Sequence, residues 1–95
     1  MKNPVREAAL AFVLRAIDEG MEFPEAEIKA FGKFAVPTAQ IRADYDAYCL
    51  RAFDEMENSG GGFASALANA WHRADSGNKA RIEKGWPHLI KRYGA

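Results

Sequence analysis

Apolar residues recur at helical spacing along most of the chain, punctuated by proline and glycine. Val5, Ala9, Phe12, Val13, Ala16 and Ile17 follow the rhythm of threes and fours that places side chains on one helix face. Asn3 and Pro4 open this stretch, because asparagine caps free amides and proline suits a first turn. Gly20 closes it, since glycine enters the left-handed region without steric cost. The pattern predicts a first helix over residues 4–19. Pro24 opens a second, with Glu22, Glu25 and Glu27 at its positive end. Ile28, Phe31 and Phe34 are expected on its buried side, and Gly32 weakens it. The residue before a proline avoids helical geometry, so Ala35-Val36-Pro37 ends this helix. Ile41, Tyr45, Tyr48, Cys49, Ala52, Phe53 and Met56 then mark the longest helix, over residues 38–57.

Asn58-Ser59-Gly60-Gly61-Gly62 interrupts the pattern, and three glycines in a row read as a flexible joint. Phe63, Leu67, Ala70, Trp71 and Ala74 mark a fourth helix. Ser76 is expected to cap a fifth carrying Ile82 and Trp86, and Pro87 starts a short last turn with Leu89, Ile90 and Tyr93. No run alternates with period two, so no sheet is expected. The expectation is an all-α chain, a small bundle of about five helices. A helix-turn-helix-like half (1–58) meets a C-terminal helical pair (63–95) through the Gly-rich joint (59–62). Its 95 residues fit a single domain.

Composition narrows the function classes. The apolar fraction of 48% is enough for a modest core, which excludes a disordered chain. The longest wholly apolar run, Ala8–Leu14, falls short of the roughly 18–20 residues a membrane span needs. Arg15 and Asp18 break any leader-like start, and one cysteine makes no internal disulfide, so the expected setting is the cytoplasm. Net charge is zero, yet residues 1–58 hold seven Lys/Arg against eleven Asp/Glu. Residues 59–95 hold six against two. Such a dipole can orient a partner, pair two copies, or balance the two halves internally.

Cys49, His72 and His88 are the only thiol and imidazoles, too few and too scattered for a zinc spacing. Cys49 lies on the apolar stripe of the third helix, where a thiol is usually inert, so an enzyme built on it is the weakest reading. The acids from Asp18 to Glu27 do not fit a calcium loop, and the glycines lack the following Lys-Ser/Thr of a phosphate loop. The expected catalytic, metal and cofactor sites are therefore none.

Pro24 to Tyr48 resembles a helix-turn-helix unit, with Phe34 closing the first helix, Ala35 as the small residue, Val36 as the plug and Ile41 as the anchor. Phe31 departs from that pattern, standing where a small residue usually allows close helix crossing. If the unit read DNA, Thr38, Gln40 and Arg42 would be its contacts, helped by Arg73, Lys79, Arg81, Lys84, Lys91 and Arg92 of the basic end. Asp44 and Asp46 oppose this, since carboxylates repel phosphates. The outer side of the same helix instead carries Ala39, Ala43, Ala47 and Leu50, spaced four, four and three. A helix apolar on two sides is usually buried on two sides. Either other helices of this chain clasp that stripe or a second molecule docks on it.

Residues 63–94 resemble the C-terminal end of small phage and prophage α-helical proteins. The resemblance rests on Ala70-Trp71, Ala74-Asp75, Asn78, Trp86-Pro87-His88-Leu89 and Tyr93, with Trp86 where phenylalanine is usual. It covers about a third of the chain and implies a phage origin, within a bacterial host, and a helical fold, but no activity. The leading expectation is a non-catalytic accessory protein that binds another protein or its own copy. A DNA-binding regulator is the alternative.

Overall fold

The computed structural model describes residues 3–95. Lys2, counted in the charge balance above, lies outside them. Among the described residues there are six helices and no strand: α1 (Pro4–Asp18), α2 (Phe23–Phe34), α3 (Thr38–Ser59), α4 (Gly62–Arg73), α5 (Ser76–Gly85) and α6 (Pro87–Gly94). The all-α expectation stands, with one helix more than anticipated. Pro87 occupies the first turn of a full α6 rather than a short closing turn. No described helix is long and apolar enough to cross a membrane.

The chain divides into two units, Met1–Ala47 and Tyr48–Ala95, and the division falls within α3. In the first unit, the Asn3 side chain accepts hydrogen bonds from the amides of Val5 (3.1 Å) and Arg6 (3.2 Å), which starts α1. Gly20, at φ 101°, ends it. Its amide donates to the Ile17 carbonyl and that of Met21 to Ala16, the paired bonds of a Schellman motif. α1 buries Ala9, Val13, Ala16 and Ile17 and packs on α2.

α2 corrects one expectation. Its buried residues are Ala26 and Ala30, flanked by half-buried Phe23 and Phe34, whereas Ile28 and Phe31 are exposed. Alanines allow the backbones of α1 and α2 to approach closely, and a large side chain at either position would push them apart. Phe34 meets Phe12 edge-on at 6.0 Å, and Phe23 meets Tyr45 of α3 at 4.7 Å. Between α2 and α3 the chain turns through Ala35, which sits in the left-handed region at φ 56° and donates its amide to the Phe31 carbonyl. Val36 and Ile41 are buried beneath this turn. The Pro37 carbonyl accepts the amides of Gln40 and Ile41, starting α3.

In the second unit, Cys49, Ala52, Phe53 and Met56 of α3 are buried, as are Ala64, Leu67, Ala68 and Trp71 of α4. Phe53 stacks on Trp71 with ring centres 4.5 Å apart. Ala68 belongs to this core, and Ala70, expected there, is exposed. The Trp71 indole N–H donates to Glu83 of α5 at 2.9 Å, and Lys79 lies 4.4 Å from the same ring. Asp75, not Ser76, caps α5 by accepting the Asn78 amide at 2.8 Å. The glycines link α3 to α4 within this unit. Gly60 is packed rather than slack: an added Cβ would lie 2.5 Å from the Met56 carbonyl oxygen and 2.7 Å from the Ala64 Cβ.

Candidate protein-docking face

The outward stripe of α3 is open. Ala39, Ala43 and Ala47 are exposed in the first unit, and Leu50 is 49% exposed in the second. Within the first unit, no other described helix covers Ala39, Ala43 or Ala47. In the first unit a further apolar surface accompanies it, since Ile28 and Phe31 of α2 are 65% and 50% exposed.

Two contacts define the edge where α2 and α3 meet. The Arg42 guanidinium lies 4.1 Å from the centre of the Phe23 ring, and its Nε is 3.9 Å from Glu27 Oε2. Phe31 lies one helical turn beyond Glu27 on that edge of α2. On α3, Ala39 and Ala43 lie next round the helix from Arg42. The large exposed apolar side chains thus stand on α2 and the small ones on α3. Small residues let a partner's backbone approach, and large exposed ones can anchor in its pockets.

Electrostatics on the other flank of α3 are settled internally. Arg6 of α1 grips Asp44 with two bonds, Nε to Oδ2 at 3.1 Å and Nη2 to Oδ1 at 2.7 Å. That hydrogen bonding holds the Asp44 carboxyl below its usual range and raises the Arg6 guanidinium. Gln40 donates its amide to the same carboxylate at 2.9 Å.

These contacts bear on the DNA-contact residues. Gln40 is committed to Asp44 and Arg42 to Glu27 and Phe23, which leaves exposed Thr38. The basic residues of the second unit are spread over three helices. Arg73 ends α4; Lys79 covers Trp71 and Arg81 donates to Asn78 at 3.1 Å; Lys84 is exposed on α5. On α6, Lys91 offers its carbonyl to the Tyr48 hydroxyl at 3.1 Å, and Arg92 lies 5.8 Å from the Tyr93 ring centre. Burial raises the pKa of that Tyr48 hydroxyl.

Cys49 is buried in the second unit and His88 is exposed. His72 sets its Nε2 3.2 Å from Asp54 and 3.6 Å from Glu57, tying α4 to the end of α3. Among the described residues, no group of three or more His, Cys, Asp or Glu is arranged to hold a metal ion.

Sequence reasoning missed Ile28 and Phe31 as surface residues. The signal was present, because Phe23, Ala26, Ala30 and Phe34 recur at three, four and four and form an equally good helical face. Weighting large apolar residues above alanine hid it. Together the helices and this face define an all-helical chain with an uncovered apolar surface. No family model, curated protein or solved structure matches the chain.

Proposed function

We propose that the chain is a non-catalytic phage-type accessory protein that binds another protein through the outward face of α2 and α3. The observation that carries this reading is the exposure, within the first unit, of Ile28 and Phe31 on α2 and of Ala39, Ala43 and Ala47 on α3. Ile28 and Phe31 are partly buried already, so leaving them in water forgoes about 1–2 kcal/mol each of burial, which a partner would recover. Neighbouring charges are already paired, Glu25 with Lys29 at 3.6 Å and Glu27 with Arg42, so the face demands little counter-charge. The fitting partner is an apolar protein surface, either of another protein or of a second copy.

A photo-crosslinking residue in place of Phe31 tests this in extracts of a bacterial host and with the pure protein. The same residue in place of exposed Arg15 is the control. The expected result is a discrete adduct at position 31 alone, lost on Ile28→Asp and competed by unlabelled protein. Equal labelling at both positions, or none at 31, overturns the reading. A dimer-sized adduct from pure protein would identify the partner as a second copy.

The DNA-binding regulator is the second reading. The left-handed Ala35 turn over buried Val36 and Ile41 favours it, and the commitment of Gln40 and Arg42 within the first unit weighs against it. Salt-dependent retardation of duplex DNA, weakened by Thr38→Ala and Arg42→Ala, would support it.

A further inference from the structure

In the second unit a cavity of about 410 Å³ opens between α3 and α6, lined by Arg51, Glu55, Ser59, Arg92, Tyr93 and Ala95. Small-molecule sites commonly occupy about 300–1,000 Å³. Arg51 and Glu55 stand one turn apart on α3, the spacing of an ordinary helical ion pair, yet each is turned elsewhere. The Ser59 hydroxyl donates to the Glu55 carboxylate at 2.6 Å. Arg51 donates its Nε to the Gly94 carbonyl at 3.2 Å, with its guanidinium 5.0 Å from the centre of the Tyr48 ring. The guanidinium is thereby anchored through one edge, and its terminal amino groups have no carboxylate within ion-pair distance among the described residues.

Arg92 rides on a helix seated just as firmly. A Cβ at Gly94 would strike the Tyr48 ring, and the Tyr48 hydroxyl donates to the Lys91 carbonyl. Two arginines on fixed elements, neither with a carboxylate within ion-pair distance among the described residues, set two positive charges against the Glu55 carboxylate. A phosphate monoester carries about −1.5 to −2 at neutral pH and accepts such paired donors. The volume far exceeds what a bare oxyanion needs, and Glu55 with Ser59 offers acceptors suited to hydroxyl groups.

We propose that this cavity binds an organic phosphate monoester, its phosphate on Arg51 and Arg92 and its hydroxyl-bearing portion beside Ser59, Glu55 and Tyr93. This site lies in the second unit and stands independently of the docking face. Calorimetric titration of the full chain at constant ionic strength tests it, with glycerol 3-phosphate, inorganic phosphate, glycerol and a single-stranded oligonucleotide as probes. The expected result is one-to-one binding of glycerol 3-phosphate, tighter than inorganic phosphate, with glycerol silent. Arg92→Gln should weaken it about tenfold or more, the scale of one charged hydrogen-bonded contact. Arg51→Lys should weaken it in the same direction, since lysine keeps the charge and loses the fork. Arg81→Gln, outside the cavity, should leave it unchanged. Absence of saturable binding overturns the proposal, as does an equal loss with Arg81→Gln, equal affinity for inorganic phosphate, or binding of the oligonucleotide alone.

Discussion

Replacing Ala35 by glycine should stabilise the protein. Ala35 holds φ 56° and ψ 29°, with its amide on the Phe31 carbonyl at 2.8 Å. For an L residue, left-handed backbone costs roughly 1–2 kcal/mol, because Cβ crowds the following carbonyl. Glycine removes that strain, and the extra freedom it gives the unfolded chain offsets about 0.4–1 kcal/mol. The Ala35 methyl is exposed, so its deletion sacrifices little burial. The net expectation is a gain of about 0.5–1 kcal/mol. Gly20 supplies the converse experiment. It holds φ 101° with nothing within 4 Å of an added Cβ, so Gly20→Ala brings strain without collision and should cost about 1 kcal/mol. Urea unfolding of the parent and both variants reads these changes as opposite shifts in midpoint with a constant slope. A loss of stability in Ala35→Gly equal to that in Gly20→Ala would mean that the α2–α3 turn is not left-handed, and the reasoning would fail.

Gly60→Ala should cost about 1–3 kcal/mol, because its Cβ meets Met56 and Ala64, whereas Gly61→Ala, with open space around it, should be nearly neutral; urea midpoints separate the two. Phe53→Leu should cost about 1–2 kcal/mol, since it keeps most of the apolar volume and loses the stacking on Trp71. Near-ultraviolet dichroism of that tryptophan should weaken in parallel. Asp44→Asn should lower stability at neutral pH, because Arg6 and Gln40 hold the native carboxyl below its unfolded pKa. The stabilisation from a depressed carboxyl is present above the unfolded value and vanishes as pH falls through the folded one. Melting curves of the parent and Asp44→Asn should therefore converge below about pH 4, and a constant gap across that window would remove Asp44 as the cause.

Helix ends were the most legible part of this chain, because capping is local chemistry. Asn3-Pro4 and Gly20 each fixed a boundary through groups within a few residues of it. Faces were harder to read. On α2, two helical patterns coexist, and the choice between them depends on how closely α1 approaches, which no local rule contains. Gly60 shows the same limit. In sequence it belongs to a run of identical residues, yet it alone among the three meets neighbours, the Met56 carbonyl of α3 and the Ala64 methyl of α4. Asp75 displaced Ser76 as a cap by one position, within the reach of two side chains with similar capping chemistry. The cavity beside Arg51 was not legible, since the i to i+4 spacing of Arg51 and Glu55 suggests a pair that long-range contacts with Gly94 override.

α3 belongs to both units at once, and this governs how the chain melts. Helical hydrogen bonds run from each amide to the carbonyl four residues earlier, so about four of them straddle Ala47 and Tyr48. Unwinding either half of the helix exposes those bonds and removes the template on which the other half propagates. Neighbouring elements coupled this way share stability through their junction, as adjacent repeats do in solenoid proteins. A ligand held by the first unit should therefore slow amide exchange at Tyr48–Arg51, beyond any residue it touches.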